Sequence, residues 1–169
     1  MRNSTIVIET HSLILRHLTI NDANELAAIY ADPIVMKFYP RLWTYAQTKQ
    51  QIERTIATYE KLGFGLWATI YKANNKFIGR CGLVPQLVDK QQEIEVSYLL
   101  AKEYWGKGLA TEAACASRDY GFEIGCDRLI SLIDPGNIAS QKVALKTGLT
   151  YEKDATMWEK SLCVYAIHK

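Results

Sequence analysis

Trp105-Gly106-Lys107-Gly108-Leu109-Ala110-Thr111 sets small residues at alternate positions directly ahead of a helix-favouring run, Leu109 to Phe122. Without a Cβ, the backbone at Gly106 and Gly108 can approach a ligand closely. The first N–H groups of a helix have no partner within it and carry partial positive charge. Such a loop suits a pyrophosphate, with Lys107 as an extra charge. Three readings compete: a tight strand-to-helix turn with no ligand, a phosphate loop of an NTPase, and a dinucleotide loop. The NTPase loop needs G-x-x-x-x-G-K-[ST], which is absent. The dinucleotide loop needs a third glycine where Thr111 stands, in an early strand–helix–strand unit, and Asp127 at a suitable distance does not supply either.

A second constellation runs from Asn137 through Ser140 and Lys146 to Gly148-Leu149. Asn caps the free N–H groups of a helix start, and Gly favours its end. Taken alone, this is a well-capped short helix.

The elements that must position these residues can be read from periodicity. Ile6 to Ile8 and Leu13 to Leu18 read as extended. Asn21-Asp22 opens a helix with Leu26, Ile29 and Tyr30 on its apolar face, stopped at Asp32-Pro33. An aromatic-dense loop, Met36 to Tyr45, precedes a helix carrying Ile52, Thr55, Ile56 and Tyr59 that ends near Gly63. Leu66 to Tyr71 and Lys76 to Val84 pair across an Asn74-Asn75 turn. Ile94, Val96 and Tyr98 alternate in the next strand. The helix after the glycine loop ends at Gly125, and Leu129 to Ile133 is a short strand. A turn at Asp134 to Asn137, a helix Ser140 to Lys146 and strands Thr150 to Lys153 and Leu162 to Ile167 complete the chain. Strands outnumber helices and hairpins join them, which implies a mixed α/β protein with a largely antiparallel sheet.

Composition narrows the function. The 169 residues suit one domain, 1–169, and at 49% hydrophobic and 22% charged they fit an ordinary folded protein. Lys and Arg total 20 against 18 Asp and Glu, a net charge of +2 with no basic run, which argues against nucleic acid as the partner. Cys81, Cys115, Cys126 and Cys163 form no C-x-x-C pair and have no histidine at zinc-finger spacing, so no metal is expected. Met1 opens a polar stretch rather than a signal peptide, and no apolar run is long enough to span a bilayer. A reduced, cytoplasmic protein with no membrane partner is the resulting expectation.

Taken together, the glycine loop and the Asn137 helix resemble the GNAT acetyltransferase superfamily, whose first motif is [Q/R]-G-x-G-x-[A/G] and whose second is N-x-x-[A/S]…K-x-G-[F/L]. The likeness is closest to the branch of ribosomal-protein N-terminal acetyltransferases (RimJ/RimL-like). Glu95-Val96-Ser97-Tyr98 ahead of Trp105-Gly106-Lys107-Gly108, the opening Leu13-Ile14-Leu15-Arg16, and Ile78-Gly79-Arg80-Cys81-Gly82-Leu83 match that branch in order along nearly the whole chain. The resemblance implies a mostly antiparallel twisted sheet of roughly six or seven strands with about four flanking helices, split at a central bulge.

It also implies roles. The strand edge at Tyr98, Leu99 and Leu100 would bond the pantetheine arm of acetyl-coenzyme A as an added strand does. The N–H groups of Trp105, Gly106, Lys107, Gly108, Leu109 and Ala110, with Thr111, would hold the pyrophosphate. Asn137 and Ser140 would lie near the sulfur. The implied reaction is acetyl transfer to a primary amine, either a small molecule or a protein N-terminus. Glu95 is the first candidate for the base and Glu159 the second. Many members carry a tyrosine in the second motif where this chain has Ala144, so the thiol-protonating role falls to Ser140 or to a water held by Asn137. The missing tyrosine keeps open an alternative, an acyl-CoA-binding regulatory module with little or no catalysis. Phe38, Tyr39, Trp43, Tyr45 and Trp67 are either core or lining of the acceptor pocket. A monomer or a homodimer is expected.

Overall fold

The computed structural model describes residues 4–169, and the polar opening at Met1 lies outside them. The chain runs β1 (Ile6–Glu9), β2 (Leu13–His17), α1 (Ala23–Tyr30), α2 (Tyr45–Leu62), β3 (Leu66–Tyr71), β4 (Lys76–Val88), β5 (Gln91–Leu100), α3 (Leu109–Glu123), β6 (Arg128–Ile133), α4 (Ile138–Lys146), β7 (Thr150–Met157) and β8 (Lys160–His168). Among the described residues eight strands, where roughly six or seven were expected, form one sheet in the order β1-β2-β3-β4-β5-β6-β8-β7. Neighbours are antiparallel except β5 and β6, which are parallel and joined through α3.

β4 continues past the expected end at Val84 through Pro85 to Val88. Its pairing with β3 ends at Leu66↔Gly82, so Pro85 sits where the far edge needs no N–H, the position in which a strand tolerates proline. The β4–β5 turn at Asp89-Lys90 and the β7–β8 turn at Trp158-Glu159 each put two residues at positive φ, 48° and 65° in one and 52° and 60° in the other. These are tight hairpins built without the usual Asn-Gly pair, so no local turn signal marks them and both strand pairs run longer than expected.

Alternation along β3 sorts the two cores. Trp67 joins Leu13, Leu15, Ile78, Leu83, Val96 and the α3 residues Leu109, Ala113 and Ala114 on one face. Leu66, Ala68 and Ile70 join Leu26, Tyr30 and Ile52 of α1 and α2 on the other. Asp22 does not cap α1 with its side chain. Its carboxylate accepts two bonds from Arg16, at 2.7 and 2.9 Å, and one from Thr19 N–H at 2.8 Å. The arginine of the opening Leu-Ile-Leu-Arg strand therefore anchors the turn into α1.

The sheet splits beside its middle strand. β5 keeps unbroken register with β4 from Gln91 to Leu100, but its pairing with β6 is confined to Glu95↔Ile130. Past that point the strands part, and Ser131 Oγ donates to the Val96 carbonyl at 2.8 Å, occupying an acceptor that the departing strand leaves free. Gly79 presses β4 against the diverging half of β5: a Cβ there would stand 2.1 Å from the Leu99 carbonyl oxygen.

Candidate functional site

A cavity of about 520 Å³ opens over the split, on the α1–α2 side of the sheet. Its floor comes from β4 and β5 (Arg80, Val84, Gln86, Glu95 and Ser97) and its far wall from β6, α4 and the turn between them (Leu132, Ile133, Asp134, Asn137 and Ser140). The α1–α2 connection supplies Met36, Phe38, Tyr39, Pro40, Arg41 and Trp43 as a cover, and Trp158, Lys160 and Leu162 close the end by β8. Lys160 fastens the cover: its Nζ donates to the Phe38 carbonyl at 3.2 Å and to Asp134 Oδ2 at 2.6 Å. That bond to Lys160 holds the Asp134 carboxyl below its ordinary range.

Glu95 stands where β5 and β6 last touch. Burial pushes its carboxyl up, against the downward pull of a 2.7 Å bond from Gln86 Nε2, the Arg80 charge and the Leu132 backbone. A carboxylate raised toward neutrality accepts a proton more readily at the pH of the cell. Two residues on, Ser97 Oγ accepts from Arg80 Nη1 at 2.6 Å, and Arg80 Nε donates to Tyr30 Oη at 3.0 Å. Burial opposes the Arg80 charge, but the Tyr30 and Tyr39 oxygens and the Glu95 carboxylate outweigh it, so the guanidinium stays protonated.

Across the gap, Asn137 caps α4 by accepting from Ser140 N–H at 3.1 Å. Ser140 Oγ donates to Tyr98 Oη at 3.1 Å, and Tyr98 Oη donates to the Ser140 carbonyl at 2.8 Å. Burial raises the Tyr98 phenol above its ordinary value, so it remains protonated. Ala144, at the position of the absent tyrosine, is 1% exposed and packs with Ile133 and Leu149.

The glycine loop lies at the other end of the split. Gly106 and Gly108 adopt φ of 73° and 77° with open space where a Cβ would be. The first ladder bond of α3 runs from Glu112 N–H to the Gly108 carbonyl, which leaves the amides of Leu109, Ala110 and Thr111 without a helical partner. Trp105 Nε1 donates to the Leu100 carbonyl at 2.9 Å and fixes the loop to the end of β5. Amides without a helical partner and an open backbone cradle fit a pyrophosphate, and beyond the cradle Tyr98 on the parted edge of β5 is bonded to Ser140, one turn from Asn137.

The structure thus brings Glu95, Ser140 and Asn137 to one cavity, bonds Tyr98 to Ser140, and sets Trp105 to Thr111 apart at the head of α3. Leu99 and Leu100 are buried on opposite faces of β5. Glu159 is exposed at the hairpin tip; its neighbours Trp158 and Lys160 line the cavity and it does not. Of the aromatics, Phe38, Tyr39 and Trp43 line the cavity, Tyr45 is exposed, and Trp67 is in the α3-side core. Sequence reasoning missed Arg80, Tyr30, Gln86 and the Lys160–Asp134 pair. Only Arg80 gave a signal, as a charge inside an otherwise apolar strand.

The family model of the acetyltransferase (GNAT) domain matches residues 12–150. A Bacillus subtilis (strain 168) protein, the uncharacterized YkkB, is 36% identical over 165 residues, covering 96% of both chains. Among solved structures, an acetyltransferase from Agrobacterium tumefaciens str. C58 superposes with a TM-score of 0.84 at 27% identity, covering 100% of this chain and 98% of that one. RimL, a ribosomal L7/L12 α-N-protein acetyltransferase solved in complex with coenzyme A, shares the fold at a TM-score of 0.80 and 15% identity, covering 96% of this chain and 97% of its own.

Proposed function

Since the chain belongs to the acetyltransferase (GNAT) domain family, we propose that it transfers the acetyl group of acetyl-coenzyme A to a primary amine by direct attack in a ternary complex. The observation that carries this reading is the placement of Glu95 and Ser140 on opposite sides of the β5–β6 gap, facing one cavity. RimL, which has this fold, was solved with coenzyme A. In this chain the amides at the start of α3 would bind the pyrophosphate and the free edge of β5 would bind the pantetheine arm.

The amine is protonated near neutral pH and attacks only as the free base. Glu95 takes that proton, directly or through one water, and the nitrogen lone pair then forms the bond to the thioester carbon. Backbone N–H groups at the parted edge of β5 stabilise the oxyanion. As the C–S bond breaks, the attacking nitrogen gives up its surplus proton and the thiolate gains one, relayed by the Ser140 hydroxyl, which turns from its 3.1 Å bond to Tyr98 to pass it on and ends protonated as it began. Holding the amine against the thioester within the covered cavity contributes several kcal/mol through orientation alone.

Initial rates of thiol release, with acetyl-coenzyme A and an amine varied together, test this reading. Intersecting lines are expected of a ternary complex. Parallel lines, or acetyl groups retained on the protein after gel filtration, would show transfer through a covalent enzyme intermediate and overturn it.

A further inference from the structure

Arg80 is a charge that acetyl transfer alone does not require. It is 6% exposed in the middle of β4, and the oxygens bonded to its guanidinium belong to the neutral hydroxyls of Tyr30 and Ser97. Tyr30 passes the bond on to another neutral group, Gln51 Oε1, at 2.7 Å. Among the described residues no carboxylate lies within ion-pair distance of Arg80. Hydroxyls take only some of its N–H donors and bring no opposite charge, and the Glu95 carboxylate acts on it only from beyond ion-pair distance, an unfavourable state for a buried cation. The other cations of the cavity differ: Lys160 is neutralised by Asp134, and Arg41 is exposed at the cover.

The spacing adds a second constraint. Ser97, which holds the guanidinium, is two residues from Glu95 on the same face of β5, about 7 Å along the strand. The cavity therefore presents a carboxylate and a guanidinium, neither ion-paired, one pleat repeat apart. A zwitterion presents the complementary pair of charges. The planar guanidinium also matches a carboxylate in two parallel bonds, which a second amine cannot make.

We propose that the acceptor is a small amine bearing a carboxylate a few bonds from its nitrogen, a free amino acid in chemical class, and that Arg80 binds this carboxylate while the nitrogen lies at Glu95. This rests on the acetyl-transfer reading above. A polyamine would bring positive charge against Arg80, and an amide or simple alkylamine would leave the guanidinium uncompensated.

The test is thiol release from acetyl-coenzyme A with three matched acceptors: an amino acid, its carboxamide and its decarboxylated amine. Free amino acids are run beside short peptides with acidic side chains. The wild-type protein is expected to favour the free acid by at least about tenfold in kcat/KM, the factor that one charge-assisted bond pair supports. In Arg80→Gln that preference should collapse, chiefly through KM, while acetyl-coenzyme A affinity by titration is kept. Should Arg80→Gln fail to fold, the wild-type protein alone decides. A carboxylic acid lacking the amine should compete with the acceptor, and its amide should not.

Equal turnover of acid and carboxamide overturns the proposal. So does an Arg80→Gln loss that is the same for all three amines, since that marks a structural arginine. Acidic peptides that outperform every free amino acid would assign the cavity to a polypeptide acceptor, and overturn it as well. Turnover of amines without a carboxylate leaves the acetyltransferase reading standing, whereas absence of acetyl-coenzyme A binding removes that reading itself.

Discussion

The two ends of the split in the sheet are built from different materials. At the α3 end the groups open to a ligand would be main-chain amides, held by Gly106, Gly108 and the helix that follows. At the cavity end they are side chains: Arg80 and Ser97 bonded to each other, Glu95 held by Gln86 and Ser140 by Tyr98, across β4, β5 and α4. A main-chain site tolerates most changes of side chain but not a change of backbone conformation. A side-chain site behaves in the opposite way. The donor half should therefore be generic and the acceptor half particular to this chain.

The sharpest way to break that contrast is Glu95→Gln. Loss of a positioned base should lower kcat by about 10²- to 10³-fold, and acetyl-coenzyme A affinity measured by titration should stay within error. The acid limb of the kcat/KM profile should vanish too. In the wild-type protein it should lie above the usual carboxylate range, because burial raises the Glu95 carboxyl and the base works only when ionised. A matching fall in cofactor affinity would join the two ends into one site.

Gly108→Val tests the other end. A β-branched residue at φ 77° is strained although nothing blocks its Cβ, so the loop should leave its cradle conformation. Acetyl-coenzyme A affinity should fall about tenfold by calorimetry, with acceptor KM little altered.

Lys160→Met releases the cover from Asp134 and from the Phe38 carbonyl. Since Lys160 is partly solvated, the expected effect is modest, about a threefold rise in acceptor KM in steady-state assays. The smallest effect is on stability. A group whose pKa is raised by folding binds its proton more tightly in the native state, so it favours the native state at low pH and loses that advantage as pH rises through the raised value. Glu95→Gln removes the ionised buried carboxylate and should raise the wild-type melting temperature at neutral pH by about 2 °C in calorimetry, with no gain near pH 4. A drop instead would mean that the carboxylate holds the cavity together.

The same contrast explains what the sequence disclosed. The order of elements, the glycine loop and the capped helix were legible because each depends on local signals: the Gly106-Lys107-Gly108 pattern, the Asn137 cap and the alternation of Ile94, Val96 and Tyr98. Pro85 and the two hairpins lacking an Asn-Gly pair hid the full length of β4, β5, β7 and β8, since partner strands set those limits rather than local preference. The acceptor cavity was largely illegible. Tyr30, Arg80, Gln86, Asp134 and Lys160 come from separate elements, and no spacing along the chain relates them. Asp22 shows the same effect on a small scale, a residue with the type of a helix cap whose carboxylate is taken by Arg16.

The short ladder between β5 and β6, at Glu95↔Ile130 with the Ser131 Oγ–Val96 bond beside it, makes this sheet two plates riveted at mid-strand. With the proposed pantetheine arm bonded along the parted edge, the co-substrate would act as a temporary additional strand that couples the plates. Those amides of Ser97 to Leu100 that face the gap should then exchange with deuterium faster than their neighbours bonded to β4 in the free protein and slow on saturation. At a hundredfold excess over its dissociation constant, the coupling would stabilise the native state by about 2.7 kcal/mol. The resting protein would accordingly be softest along the line where its chemistry takes place.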